Sequence, residues 1–148
     1  MQDYYRFNAI ICAALIALVA WCRRRGTSGL EIAGTVAASY TILYGLTNFW
    51  AFQYMAWSLP FWLVAGRRFA LPAWLVSTAY IYILYAWLCQ SPLLLGKWDF
   101  IGQPDWPQSI LLLRNTATLF FFAAAWYTII RAVAGEVRHW RRRSDDAT

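Results

Sequence analysis

The sequence is poor in charged residues. Asp, Glu, Lys and Arg make up 14% of its 148 residues, whereas 61% of the residues are apolar. A typical soluble domain carries about 25% charged residues, and a soluble chain this short has too little interior to bury so much apolar surface. The composition therefore predicts an integral membrane protein rather than a soluble domain.

Histidine and intramembrane carboxylates are also scarce, and this excludes several functions. Histidine occurs once, at His139, and no Asp or Glu falls in the middle of an apolar run. Haem and di-iron sites need inward-facing histidines, a Ser-His-Asp triad needs a histidine beside its nucleophile, and proton-coupled transporters usually need a buried carboxylate. The sequence therefore predicts a protein that is not an enzyme, with no catalytic residue, no cofactor and no metal site.

The positive charges lie mostly at the ends of apolar runs. The net charge is +6, but basic residues in these places act as orientation signals, and no nucleic-acid-binding motif accompanies them. The expected partners are membrane lipid and other membrane proteins or further copies of the chain, and not nucleic acid. Arginine outnumbers lysine twelve to one, which is typical of a GC-rich bacterium or its phage and indicates the bacterial inner membrane.

One block of the sequence decides the number of membrane crossings. Residues 26–66 contain no Lys or Arg, and a continuous helix over residues 30–66 would be about 55 Å long, against a hydrocarbon core of about 30 Å. A turn at Asn48 would give two short spans. A break at Pro60 would give one span and a short remnant, and a re-entrant segment over residues 49–65 is a third arrangement.

The positive-inside rule favours the turn at Asn48. With five crossings, ten basic residues share one side and three share the other, whereas four crossings give eight against five. We therefore predict an all-α bundle with its N-terminus outside and its C-terminus in the cytoplasm. The membrane domain comprises residues 1–134 and a basic polar tail comprises residues 135–148. The predicted spans are about 4–22, 30–47, 49–65, 73–90 and 109–134.

Two sets of residues inside the spans are candidates for function. Small residues that recur on one helical face allow close helix packing in lipid, either within the chain or between copies; they are Gly34, Ala38, Thr41 and Gly45. An intramembrane arginine followed by polar residues could line a path for an anion, unless its guanidinium group extends to the membrane–water interface. This candidate polar path consists of Arg114, Asn115, Thr116 and Thr118.

Aromatic and basic residues give two further candidate sets. Most of the aromatic residues form interfacial belts, but four lie deeper in the fourth predicted span and could form an aromatic pocket: Tyr80, Tyr82, Tyr85 and Trp87. The tail can orient the chain and can also attract anionic lipid, at about 1 kcal/mol per basic residue near the surface. The residues expected to do so are Arg138, Arg141, Arg142 and Arg143.

These features leave three classes of function open. The first is a non-enzymatic membrane protein that acts through helix–helix association, as a complex subunit, an assembly factor or a host-membrane modifier, and it needs only the features above. The second is a holin-like former of membrane lesions, suggested by the small size and the charged tail alone. The third is a small transporter or channel that uses Arg114.

Overall fold

The computed structural model describes residues 2–47, 55–66, 68, 70–95 and 106–145, with side chains from residue 7 and, after the first gap, from residue 57. These ranges form five α-helices and contain no β-strand, which confirms the all-α class. The helices are α1 (Gln2–Cys22), α2 (Gly29–Leu46), α3 (Met55–Val64), α4 (Ala70–Leu88) and α5 (Gln108–Asp145).

A capping box starts α2 directly after the arginine-rich turn. The Ser28 hydroxyl accepts from the backbone N–H of Glu31 at 3.3 Å, and the Ser28 N–H donates to the Glu31 carboxylate at 3.1 Å. This reciprocal pair satisfies N–H groups that a helix start otherwise leaves without partners. The chain therefore reverses sharply after α1, and α2 runs back along it.

Contacts at both ends show that α1 and α2 are antiparallel. Near the start of α1, the Asn8 amide donates to the carbonyl oxygen of Leu46 at 2.6 Å. Beyond the other end of α1, the Arg23 guanidinium donates to the Thr35 hydroxyl at 3.0 Å. The two helices thus lie side by side over most of their length.

The block without basic residues contains two helices rather than one. The α2 helix ends at Leu46, and Thr47 is extended. In α3 the Trp62 indole N–H donates to the Ala37 carbonyl at 3.1 Å, and Ala65 lies beside Gly34. The α3 helix therefore runs antiparallel to α2.

The two predicted break points in this block fare differently. Asn48 and residues 49–54 lie outside the described residues. Pro60 does not end a helix, because it lies inside α3. A proline inside a helix is costly because it lacks an N–H and because its ring clashes with the preceding turn. The α3 helix nevertheless contains Pro60 as its sixth residue.

The long helix α5 returns antiparallel to α4 and packs across α2. The rings of Trp87 and Trp106 lie 5.4 Å apart between the end of α4 and the residues that precede α5. Near the middle of α5, Phe121 and Ala125 meet Gly45 of α2. Successive helices therefore alternate in direction.

Two buried clusters hold the bundle together. The first joins α1, α2 and α5, and consists of Cys12, Val19, Ala38, Ile42, Leu46, Ala125 and Ile129. The second joins α2, α3, α4 and α5, and consists of Ala37, Tyr44, Trp62, Ala70, Ala73 and Phe121. Both clusters include α2 and α5, which make the most extensive contact in the bundle.

Among the described residues, two helices are long and apolar enough to cross a membrane, namely α4 and α5, and the part of α1 from Phe7 to Cys22 is a shorter apolar helix. The α5 helix has 38 residues, or about 57 Å at 1.5 Å per residue. It therefore continues well past Ala134, the predicted end of the last span, and most of the predicted polar tail is helical.

Candidate functional site

Most of the described arginines lie at one end of the bundle. This end is formed by the turn after α1, by the end of α3, and by the part of α5 beyond Tyr127, because α1 and α3 finish where α5 leaves the bundle. We call it the arginine end, and it carries Arg23, Arg24, Arg25, Arg68, Arg131, Arg138, Arg141, Arg142 and Arg143. Arg114 lies towards the opposite end, near the start of α5.

Glu136 joins the last part of α5 to the turn after α1. We call this part, residues 132–145, the extension of α5. Its carboxylate accepts from Arg24 at 3.0 Å, from both terminal nitrogens of Arg25, and from the Trp140 indole at 2.9 Å. These donors, with Arg25 first among them, lower the pKa of Glu136 from an ordinary value of 4.5 to about 2. The carboxylate is therefore ionised over the whole neutral range.

The third arginine of this turn, Arg23, lies against α2. The guanidinium of Arg23 bonds to Thr35, and one of its terminal nitrogens lies 2.7 Å from the position that a Cβ atom on Gly34 would occupy. Gly34 therefore provides space for an arginine head, because any side chain there would meet it.

Two cavities open at the arginine end. One, of about 490 Å³, is lined by Arg24, Arg25, His139, Trp140, Arg143 and Ser144; we call it the tail cavity. The other, of about 560 Å³, runs between the end of α3 and α5 and is lined by Ala65, Gly66, Arg68, Phe120, Ala123, Ala124, Tyr127 and Arg131. We call the second one the α3–α5 groove. It combines a floor of small apolar side chains with two guanidinium groups.

A third cavity lies towards the opposite end of the bundle. It measures about 540 Å³ and is mostly apolar, with Asn8, Cys12, Tyr40, Tyr44 and Trp57 among its lining residues. Asn8, one of its lining residues, also donates to the carbonyl of Leu46, so α1 and α2 are in contact at the edge of this cavity.

The predicted packing face of α2 lies within the same chain, against α5 at Gly45 and against α3 at Thr41. Ala38 and Thr41 are fully buried, and a Cβ atom on Gly45 would lie 2.4 Å from the carbonyl oxygen of Phe121. This is a backbone-to-backbone approach of the kind that small residues allow. Gly34, the fourth member of the face, lies next to Arg23 rather than next to α5.

The predicted polar path is spread over the surface of α5. Its four side chains, Arg114, Asn115, Thr116 and Thr118, are all exposed. Arg114 donates to the amide oxygen of Asn115, while the two threonines donate to carbonyl groups one turn earlier in the same helix. Consecutive helical positions point in different directions, and the structure does not bring these residues together around an enclosed path.

The four deep aromatic residues of α4 do not surround one pocket. Tyr80 is buried, whereas Tyr82 is exposed and donates to the carbonyl of Pro92 at 2.8 Å. Tyr85 is partly buried, and Trp87 packs against Trp106. Their spacing places Tyr80 and Trp87 on one side of the helix and Tyr82 and Tyr85 on the other, because positions three, four or seven apart share a face.

The four arginines expected at the lipid surface, Arg138, Arg141, Arg142 and Arg143, are exposed on the extension of α5, and Arg143 also lines the tail cavity. The residues that α5 contributes to the α3–α5 groove were not among the candidates predicted from the sequence. Ala123, Ala124, Tyr127 and Arg131 recur at three- and four-residue steps on one side of α5. That spacing is visible in the sequence, but the neighbouring Arg68 is brought there only by the fold.

The comparisons with known proteins give no relative to set beside this site. No protein-family model matches the chain, and searches of curated proteins and of solved structures find no match either.

Proposed function

We propose that the chain is a non-enzymatic protein with five membrane spans that acts through helix–helix association. As a complex subunit, an assembly factor or a host-membrane modifier, it would lie in a bacterial inner membrane with the arginine end in the cytoplasm and the N-terminus outside. The observation that carries this proposal is the alternation of the five helices, which collects the arginines at one end as the positive-inside rule requires.

The outer surface of the bundle supports a membrane placement. Large apolar side chains are exposed on every helix, among them Ile10 on α1, Leu63 on α3 and Leu112 on α5, the last with 68% of its surface accessible. Soluble proteins rarely expose apolar patches of more than a few hundred Å², whereas lipid covers such side chains at no cost.

The extension of α5 supports association with another helix. Val133, Val137 and Trp140 follow at steps of four and three residues and are all exposed, with 66% of Trp140 accessible. Residues so spaced lie on one face of a helix. This apolar stripe lies beyond the last apolar run of the sequence, and a stripe of this kind packs into an apolar groove of a partner protein. The packing face of α2 is already used inside the chain, so the extension of α5 is the better surface for a partner.

Reporter fusions after Asn48, Arg68, Gln103 and Thr148 test the proposed topology. We expect Asn48 and Gln103 to report outside, and Arg68 and Thr148 to report in the cytoplasm. A reporter at Arg68 on the side opposite Thr148 would contradict five spans. If the reporter after Asn48 never reports outside, then α2 and α3 do not form a hairpin that crosses the membrane.

A photo-crosslinking amino acid at Val137 tests association in intact cells. We expect a crosslinked product, either a dimer of the chain or a complex with one defined membrane protein, because Val137 lies on the apolar stripe. Arg142 lies on another side of the same helix and provides the matched control position. Equal crosslinking from both positions, or none from Val137, would refute association through this stripe.

A further inference from the structure

The α3–α5 groove has the shape and polarity of a lipid site. Its floor is formed on α5 by Ala123 and Ala124, whose short side chains leave a trough beside Ala65 and Gly66 at the end of α3. Phe120 adds an apolar wall one turn earlier. A trough of small and aromatic side chains on the outer surface of a helical bundle accommodates an acyl chain better than a polar solute.

Positive charge is confined to one end of this groove. Arg68 and Arg131 both line it, and the Arg131 guanidinium lies 5.8 Å from the centre of the Tyr127 ring. In the described part of the chain, the ion pairs involve Glu136 with Arg24 and Arg25, and no carboxylate pairs with Arg68 or Arg131. Both groove arginines can therefore offer their donors to an anion.

The distance between the apolar floor and the charged end of the groove matches the distance between the acyl chains and the phosphate of a phospholipid. Arg131 follows Ala123 by eight residues, or about 12 Å along a helix. The fork of N–H donors on a guanidinium binds phosphate oxygens in pairs, and a tyrosine at this level can donate its hydroxyl to the glycerol or phosphate oxygens.

From this arrangement we infer that the α3–α5 groove binds an anionic phospholipid. The phosphate lies between Arg68 and Arg131, beside Tyr127, and one acyl chain lies over Ala123 and Ala124. The inference rests on the proposed membrane placement and adds a specific ligand to it.

A second copy of the chain fits this groove less well than a lipid does. A protein partner would have to supply a carboxylate to face the two arginines. Both glutamates of this chain already have partners, since Glu31 is held by the capping box with Ser28 and Glu136 by Arg24 and Arg25. A phospholipid brings both its own anion and its own apolar chain.

Native mass spectrometry of the full chain in detergent tests this inference with dioleoyl phosphatidylglycerol as the anionic probe and dioleoyl phosphatidylcholine as the zwitterionic one. We expect the wild type to bind phosphatidylglycerol at least about tenfold more tightly, because two charge-assisted contacts favour it. The double variant R68Q/R131Q should lose this preference. The comparison variant R141Q/R142Q removes the same charge from the exposed tail, where the arginines attract anionic lipid as surface charge only, and it should reduce the preference less than R68Q/R131Q does.

A second variant separates a lipid from a free phosphate compound. Ala124→Leu fills the floor of the groove and should weaken phosphatidylglycerol binding about tenfold with both arginines retained, whereas Ala134→Leu on the exposed extension should leave it unchanged. Soluble glycerol phosphate should not compete at millimolar concentration. Effective competition would identify a free phosphate site and overturn the lipid assignment.

The outcomes of these tests separate the two proposals. Reporter fusions on each variant establish its topology first, so a failure of the five-span arrangement is recognised independently of lipid binding. With the topology intact, equal loss of preference in R68Q/R131Q and R141Q/R142Q would overturn the groove site in favour of general surface charge. Dissociation of a dimer by R68Q/R131Q, with lipid binding unchanged, would assign the groove to a second copy of the chain. If R68Q/R131Q does not accumulate, Ala124→Leu still decides.

Discussion

The indole N–H of Trp62 on α3 lies 3.1 Å from the carbonyl oxygen of Ala37 and also 3.1 Å from the hydroxyl oxygen of Thr41 on α2. Thr41 itself donates to the same carbonyl at 2.8 Å. Three buried polar groups therefore satisfy one another between two antiparallel helices. The contact between Trp62 and Thr41 fixes the position of α3, a helix of ten residues that is too short to be stable by itself.

Trp62→Phe should destabilise the protein by about 1–3 kcal/mol, since it removes the donor and leaves a small void at a fully buried position. Thermal unfolding of the purified chain in detergent provides the measurement. Trp74→Phe is the matched control, because Trp74 is exposed, and it should change stability by less than about 0.5 kcal/mol. Equal effects of the two variants would show that Trp62 does not anchor α3.

Gly45→Ala should cost about 1–3 kcal/mol, because the new Cβ would lie 2.4 Å from the carbonyl oxygen of Phe121 and 2.5 Å from the Cβ of Ala125. The backbone of α5 has to move to admit it. Gly135→Ala is the control, since a Cβ at that position meets no atom within 4 Å. It should instead stabilise α5 by about 0.5–1 kcal/mol through helix propensity. The two unfolding temperatures should therefore move in opposite directions.

The ion pairs of Glu136 should make stability depend on pH in the acidic range. Because folding lowers the pKa of Glu136 from an ordinary 4.5 to about 2, the folded state favours the ionised form. The resulting stabilisation is fully present above about pH 4.5 and is lost as the pH falls towards 2. The difference in unfolding temperature between the wild type and Glu136→Gln should be constant from pH 5 to 8 and should shrink below that range.

A double-mutant cycle identifies the partner of Glu136. Arg25 contributes both terminal nitrogens to its carboxylate, so the effects of Arg25→Gln and Glu136→Gln should not add. Arg141→Gln should add to Glu136→Gln, because Arg141 is exposed on the extension and forms no ion pair with Glu136 among the described residues. Additivity in the first cycle would show that Arg25 and Glu136 are not coupled in solution.

Asn8→Ala should loosen the contact between α1 and α2 at the end opposite the arginines. It removes the hydrogen bond to the Leu46 carbonyl and enlarges the cavity beside Cys12. In a background with Cys22→Ser and Cys89→Ser, we expect maleimide to label Cys12 faster in Asn8→Ala than in the parent. Asn115→Ala, a change at an exposed position, provides the comparison. If Cys12 were labelled equally fast in Asn115→Ala, then Asn8 would not be what protects Cys12 at this end of the bundle.

The apolar runs predict the bounds of α1, α2 and α4 to within three residues, because each run is closed by arginines or by a Gly or Pro signal. The last predicted span ends at residue 134, whereas the helix α5 continues to Asp145. The basic residues that follow are polar but are good helix formers, and Gly135 alone does not stop a helix. Hydropathy marks where an apolar surface ends, and it does not mark where the helical hydrogen bonds end.

The groove could be predicted only in part. Ala123, Ala124, Tyr127 and Arg131 share one side of α5 by their spacing, but Arg68 is far away in sequence. It joins them because α3 folds back against α2 through Trp62. Among the candidates chosen as neighbours in sequence, Arg114 stays in contact with Asn115, whereas the helical rotation of about 100° per residue turns Thr116 away from Arg114.

The length of α5 also has a mechanical consequence. From Ile129, its last core residue, to Asp145, the helix continues without a break, for about 24 Å. A tilt of about 5° at Ile129 would move the far end of the helix by about 2 Å. The ion pairs of Glu136 with Arg24 and Arg25 lie between Ile129 and that end, and they restrain this tilt.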